Sequence, residues 1–184
     1  MILGIDPGGP GAAVLLHRGE LCWSVDWRAT RRGWKARLYR SGEITHAQLS
    51  MRDSSIGGYL AALLRIDQVN LHGLAVEDVF VHGKHRNVKT AVVIARFGAA
   101  VAAPVELLTG VSAQYVQASE WRASILGLNR FTKRDQAKAA SLQFIPHLVS
   151  GLPRCLAEIG QLDHLSDAAG LALWLERKTH RASI

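Results

Sequence analysis

Three acidic residues could have catalytic or metal-binding roles because of the positions they occupy along the chain. Asp6 ends an apolar run at residues 2–6, directly before a turn rich in glycine and proline. Glu77 ends another short apolar run, and Asp167 lies in a segment that is apolar from Ala168 onward. A carboxylate that enters a buried segment needs a partner, and a metal ion is one such partner. Hard oxygen ligands suit Mg²⁺ or Mn²⁺, and two such ions can clamp an in-line attack on a phosphodiester.

Two neighbours of Asp167 could complete such a ligand set. Residues four apart on an α-helix lie ~40° apart around its axis, and residues three apart lie ~60° apart. Asp163 and His164 can therefore each share a helix face with Asp167. Asp163 could equally be the N-cap of the helix, which would take it off that face. Which of the two residues completes the set stays open.

The same acids also have ordinary structural interpretations. Asp6 followed by Pro and Gly is a common turn motif, and Glu77 could end an exposed strand. Asp163 would be an ordinary helix cap. Any single acid is more often structural than catalytic, so the chemical interpretation depends on all of them falling at element ends in a basic protein.

Apolar periodicity and turn residues predict the elements that would position these acids. The predicted order is β-β-β-α-β-α-β-α-α-α, with three hairpin-linked strands first. Strands are expected near residues 2–6, 12–16, 21–27, 72–77 and 112–117, and helices from near 54, 88, 119, 132 and 163. Ser119 and Thr132 are the expected N-caps of two of these helices, and residues 146–153 are expected to form a loop. We therefore predict an α/β fold with a mixed five-stranded sheet and helices on both faces.

The composition excludes several classes of protein. The chain has 184 residues, of which 48% are hydrophobic, so it is not a disordered tail. One domain spanning residues 1–184 is expected. No uncharged apolar run approaches the ~18–20 residues that a membrane span needs, and the N-terminus lacks the pattern of a secretory signal. Cys22 and Cys155 form no metal-type pair, which favours a reducing, cytoplasmic setting.

The chain is basic, which favours a polyanionic partner. It has 22 Lys and Arg residues against 15 Asp and Glu residues, for a formal net charge of +7. Residues 28–40 include six basic residues and no acid, and we expect an exposed loop or an extended hairpin there. The candidate phosphate contacts are Lys84, His85 and Arg86 in a loop, and Lys133 and Arg134 at a helix N-terminus. A charge run of this kind is also typical of a merely solvated face.

Four segments of the sequence resemble the motifs of a known family. They are ILGIDPG at residues 2–8, VEDVF at 76–80, ARFGAA at 95–100 and HLSDAAGLAL at 164–173. In this order, and with compatible elements between them, they are similar to the RuvC-like Holliday junction resolvases, a branch of the ribonuclease H-like superfamily. The chain departs from that family in its compact turn at residues 8–11, in the basic stretch at 27–40, and at Gly170.

The resemblance implies divalent-metal hydrolysis of four-way DNA junctions, in recombination and repair, by a homodimer. It implies two Mg²⁺ or Mn²⁺ ions per site and catalytic, metal-binding roles for Asp6, Glu77, His164 and Asp167. It also implies that Phe80 stacks on or wedges against a base at the junction centre. The expected setting is the cytoplasm of a bacterial cell or a phage-infected host, with neither a membrane nor a nucleotide cofactor. The Ala-rich helix from residue 88 would form part of the dimer interface.

Two other functions fit the same residues. A nuclease of this fold could act on flaps, forks or RNA–DNA hybrids instead. A branched-DNA binding protein could use the basic surface without cutting, although carboxylates near phosphates weaken binding unless a metal neutralises them. An actin-like phosphotransferase also opens with a strand, an Asp and a Gly turn, but it needs a second domain for which 184 residues leave no room.

Overall fold

The computed structural model describes residues 1–8, 10–50, 52, 54–78, 88–129, 131–160 and 163–181. Its strands are β1 (Ile2–Asp6), β2 (Pro10–His17), β3 (Glu20–Thr30), β4 (Gly33–Arg40), β5 (Glu43–Leu49), β6 (Gly73–Asp78) and β7 (Ala113–Gln117). Its helices are α1 (Ser54–Ile66), α2 (Val88–Thr109), α3 (Ala118–Leu126), α4 (Arg134–Leu148), α5 (Leu152–Ile159) and α6 (Asp163–Arg181).

One mixed sheet has the strand order β5-β4-β3-β2-β1-β6-β7. The first five strands form an antiparallel meander, whereas β6 and β7 run parallel to β1. The predicted α/β class with a mixed sheet is confirmed, but the described sheet has seven strands rather than five. The difference lies in residues 28–52, where the extended hairpin is the correct alternative and adds β4 and β5.

Helices cover both faces of the sheet, as predicted. The core on one face is formed with α1 and α2, and the core on the other face with α3 to α6. Helix α6 crosses the middle of the second face at Gly4, where a Cβ atom would lie 2.1 Å from the carbonyl oxygen of Ala168. Gly170 has a similar role, because a Cβ there would lie 2.4 Å from the Trp121 ring. The absence of side chains at these two glycines lets α6 approach β1 and α3.

Several helix boundaries differ from those predicted. Helix α3 follows β7 directly, so Gln117 is its N-cap and Ser119 lies in its first turn. Lys133 rather than Thr132 is the N-cap of α4, because the Thr132 hydroxyl is turned towards Asn129 Oδ1 at 3.5 Å.

The prediction of a loop at residues 146–153 is only partly correct, because α4 continues through Pro146 to Leu148 and α5 begins at Leu152. Pro153 instead stands at the start of α5, where a missing N–H is tolerated. The apolar side of this short helix is buried against the core.

Helix α2 keeps an apolar surface facing away from the sheet. Its segment Val92–Thr109 is long and apolar enough to span a membrane by length and composition, although it carries Arg96 and Glu106. Only 28% of this segment is buried. Its inner side packs closely on α1, where a Cβ at Gly57 would lie 2.3 Å from the carbonyl oxygen of Val101. Its exposed apolar side chains are Val92, Val93, Leu107 and Leu108.

Candidate active site

Three of the predicted acids come together at one edge of the sheet. The parallel pairing of β1 with β6 places Ile5 opposite Val76, so Asp6 at the end of β1 and Glu77 one residue before the end of β6 lie at the same level. Asp167 lies in the second turn of α6, just before the point where that helix crosses Gly4. The charges of Glu77 and Asp167 both act on Asp6, which places the three carboxylates in one electrostatic cluster.

Burial makes ionisation of this cluster unfavourable. It raises the pKa of Asp6 well above its usual value, and the negative charges of Glu77, Asp167 and Asp163 raise it further. Burial also raises the pKa of Glu77 to about 7, with a further contribution from Asp167. The positive charge of Arg122 opposes both shifts. Close carboxylates with little water between them need added positive charge to be ionised together.

Helix α3 supplies two partners that sequence reasoning missed. Arg122 Nη2 donates a 2.7 Å hydrogen bond to Asp167 Oδ2, and the two side chains are only 12% and 6% exposed. Trp121 Nε1 donates a 3.3 Å hydrogen bond to Glu77 Oε2. The structure explains their position: α3 starts directly at the end of β7, and β7 pairs in parallel with β6. The first turns of α3 therefore lie at the same sheet edge as Glu77.

Asp163 and His164 lie at the start of α6 and contact each other, with His164 Nδ1 3.5 Å from Asp163 Oδ1. Asp163 Oδ2 accepts a hydrogen bond from Lys138 Nζ, and its Oδ1 accepts one of 3.1 Å from the backbone N–H of His164. Burial opposes ionisation of Asp163, but the hydrogen bond and charge of Lys138 give a net lowering of its pKa. Burial lowers the pKa of His164, and although the negative charge of Asp163 acts in the opposite direction, the net effect is a lowering. Asp163 is thus already neutralised by a lysine, whereas His164 is held in its neutral form.

The acids fit a divalent cation in chemistry and in charge. Asp167 Oδ1 and His164 Nε2 are buried without a hydrogen-bond partner among the described residues. Carboxylate oxygens and a neutral imidazole are suitable ligands for Mg²⁺ or Mn²⁺. As the side chains are placed, no three His, Cys, Asp or Glu residues in the described ranges surround one ion position. Arg122 instead provides the positive charge beside Asp167.

The predicted DNA contacts fall into two groups. Phe80, Lys84, His85 and Arg86 lie outside the described residues. Lys133 and Arg134 are exposed at the start of α4, as expected of phosphate contacts. Lys138 follows one turn later and binds Asp163, so this end of α4 lies beside the acidic cluster.

Comparison with known proteins identifies the fold. No family model and no curated protein matches the sequence. The structure of Thermus thermophilus RuvC in complex with a Holliday junction substrate matches with a TM-score of 0.59 at 15% identity, covering 98% of this chain and 95% of that one. A second T. thermophilus RuvC structure matches with a TM-score of 0.54 at 18% identity, covering 98% and 96%. The chain therefore has the ribonuclease H-like fold of the RuvC structures, as its four motifs predict.

Proposed function

We propose that the chain is a metal-dependent endonuclease that resolves four-way DNA junctions by paired, symmetric phosphodiester hydrolysis. The observation that carries this proposal is the convergence of Asp6, Glu77 and Asp167 at one sheet edge, in a chain with the RuvC fold. One matching RuvC structure is itself bound to a Holliday junction substrate. The net charge of +7 suits a polyanionic substrate.

Asp6, Glu77 and Asp167 would hold two Mg²⁺ or Mn²⁺ ions, with His164 as the fourth ligand. When bound, the ions would lower the pKa of a water so that it can attack at neutral pH, and their positive charge would stabilise the attacking and leaving oxygens. Because burial raises the pKa of Asp6 and Glu77, cation binding would displace protons from these two acids and would therefore strengthen as the pH rises.

Arg122 has two successive roles in this proposal. It neutralises Asp167 through their 2.7 Å contact while no cation is bound. With a cation bound at Asp167, the Arg122 guanidinium would be free to donate to a phosphate oxygen of the DNA instead. Guanidinium groups suit this exchange because they bind carboxylates and phosphates with the same fork of N–H donors.

Positive side chains around the cluster would hold the DNA backbone without reading its sequence. Lys133 and Arg134 are exposed close to the acids, and Lys84, His85 and Arg86 remain predicted contacts. Phe80 remains the predicted wedge, and base stacking on an aromatic ring contributes about 1–3 kcal/mol. Selectivity would then come from the branched shape of the DNA and the ease of opening its central base pairs.

The exposed apolar side of α2 would form the interface of a homodimer. Val93 and Leu107 are 64% and 87% exposed there, which is unusual for large apolar side chains on one helix. A two-fold dimer would place two active sites symmetrically, as paired cuts across a junction require.

Cleavage of a panel of labelled DNA substrates tests this function. We expect Mg²⁺-dependent cuts at symmetric positions in a four-way junction, and none with Asp6→Asn. Preferential cutting of flaps or forks would indicate a different branched-DNA nuclease. Tight junction binding without cutting in Mg²⁺ or Mn²⁺ would indicate a binding protein.

A further inference from the structure

The β3–β4 hairpin carries a group of unpaired positive charges. Arg37 donates hydrogen bonds of 2.9–3.1 Å to the Asp26 carboxylate, and Arg40 forms a 2.6 Å ion pair with Asp67. These two arginines therefore have structural roles. The other four basic residues of the hairpin are exposed and have no ion-pair partner in the described part of the chain: Arg28, Arg31, Arg32 and Lys35.

The strand register places this hairpin at the edge of the sheet that holds the acids. Asp6 pairs with Ala12, Ala12 with Asp26, and Asp26 with Arg37. Directly paired residues share a face of the sheet, and residues two apart along a strand also share a face. Arg28 lies two residues beyond Asp26 towards the hairpin turn, so it projects on the same face as Asp6 but farther out.

Lys35 lies directly opposite Arg28 on β4. With strands ~4.8 Å apart and a rise of ~3.3 Å per residue, the Cα atoms of Arg28 and Lys35 lie about 12 and 16 Å from that of Asp6. At ~3.4 Å per base pair, these separations correspond to about four to five base pairs of a duplex. A duplex arm that leaves the acidic cluster along this face would therefore reach the hairpin.

The charges on the hairpin repel one another. Like charges on directly opposed residues of an antiparallel pair are destabilising, and Arg28 and Lys35 form such a pair. Arg31 and Arg32 add two more positive charges in the turn beyond them. No acid among the described residues offsets these four charges by an ion pair, whereas a polyanion would.

The hairpin is firmly attached to the site despite this repulsion. The Trp34 ring is buried and stacks on Phe97 with their centroids 4.9 Å apart. Trp27 is also buried, and its Nε1 donates a 3.3 Å hydrogen bond to the carbonyl oxygen of Gly8, in the turn after Asp6. The charged side chains therefore project from a rigid support that contacts the active-site turn.

We propose that Arg28, Arg31, Arg32 and Lys35 form a second DNA-binding surface, which holds the phosphates of a duplex arm beside the cleavage site. This inference rests on the proposed nuclease function and adds a surface to it. The surface carries four long cationic side chains, which suit contacts with the phosphates of the duplex backbone.

Salt-dependent binding tests the surface directly. The hairpin variant changes all four residues to Gln: R28Q, R31Q, R32Q and K35Q. Binding of labelled duplex DNA, of duplex RNA and of a four-way junction is measured by fluorescence anisotropy in EDTA across a salt series. Because each lost phosphate contact removes about 0.9 from the slope of log K against log salt, we expect the slope to fall by about 2–4. We also expect affinity to fall at least about tenfold at moderate salt.

A matched variant controls for net charge. The control variant removes the same amount of positive charge from four exposed positions elsewhere: R18Q, R65Q, R177Q and R181Q. These residues lie at the opposite end of the sheet, in the β2–β3 turn and at the C-terminal ends of α1 and α6. We expect this control to keep the wild-type slope. Removing the Arg28–Lys35 repulsion should leave the melting temperature of the hairpin variant unchanged or raised.

Three results would overturn the proposal. One is a wild-type slope for the hairpin variant, and another is an equal loss of slope in both variants. The third is a larger effect on duplex RNA than on duplex DNA, which would assign the surface to RNA. Binding is measured without metal, so a failure to cut junctions would contradict the proposed nuclease function alone, and the slopes would still decide the role of the hairpin.

Discussion

At the scale of single residues, the candidate site is a set of buried charges that compensate one another. The predicted acids could be located from sequence because each ends a strand or enters a buried helix. Trp121 and Arg122 could not be located in this way, because their position beside the acids depends on α3 following β7 without a loop. The contact between Lys138 and Asp163, which bears on whether Asp163 or His164 completes the ligand set, also could not be predicted from the sequence.

The raised pKa of Glu77 predicts how the metal-free protein responds to pH. Glu77 ionises near pH 4.5 when unfolded but at about 7 in the folded protein, so the folded state holds more protons between these values. The free energy of unfolding should therefore fall as pH rises from about 4.5 to about 7, because stability falls with pH wherever the folded state binds more protons. Urea unfolding in EDTA at several pH values measures this. Glu77→Gln should make the decline shallower, with the raised pKa of Asp6 accounting for the remainder, and an equally steep decline in that variant would contradict the assignment.

The Arg122–Asp167 ion pair predicts a metal-dependent change in stability. Arg122→Met should destabilise the metal-free protein by about 1–3 kcal/mol at pH 8, because it leaves a buried carboxylate without a partner. Addition of Mg²⁺ should recover most of that loss, since the cation replaces the missing charge. Urea unfolding with and without Mg²⁺ measures both quantities. An equal loss under the two conditions would show that Arg122 has only a packing role.

At the scale of elements, the site depends on the close crossing of α6 over β1. Strands and helices with clear apolar periodicity were predictable, including β1, β6 and α6. The strands β4 and β5 are harder to predict: basic side chains alternate with apolar ones in β4, and polar side chains alternate with apolar ones in β5, patterns that also suit an exposed loop. Helix α5 was missed because two prolines suggested a loop, although one of them starts the helix.

Gly4→Ala should disturb the crossing of α6. Its Cβ would lie 2.1 Å from the carbonyl oxygen of Ala168, so the helix must move. We expect a loss of about 1–3 kcal/mol in the free energy of unfolding, as for other overpacked sites, together with loss of DNA cleavage. Gly58→Ala is the matched control, because a Cβ there meets nothing within 4 Å and the substitution favours the helix. Equal stability of the two variants would contradict the role assigned to Gly4.

At the scale of the whole molecule, the proposed dimer and its proposed binding to DNA rest on two surfaces: the basic residues at the acidic edge of the sheet and the exposed apolar side of α2. The overall charge and the α/β class followed from composition and periodicity. The distribution of charge did not follow from them, because only the structure shows which arginines form ion pairs and which stay exposed.

Negative charges introduced on α2 should dissociate the proposed dimer. Val93→Glu with Leu107→Glu adds two charges on one exposed side of the helix, and the protein should become monomeric by light scattering at concentrations where the wild type is dimeric. Ile66→Glu is the control, since Ile66 is 70% exposed on α1. The double variant should retain its fold and the ability to nick one strand. A dimer that persists in it would place the interface elsewhere.

Cleavage of a supercoiled plasmid with an extruded cruciform tests the central claim most directly. Two coordinated cuts across one junction convert the plasmid to a linear form, whereas isolated cuts give a nicked circle. We expect the wild-type protein to produce linear DNA in Mg²⁺ without accumulating nicked circles, and Asp6→Asn to bind but not to cut. Uncut plasmid in both Mg²⁺ and Mn²⁺, or nicking that does not depend on the cruciform, would contradict resolution by paired cuts.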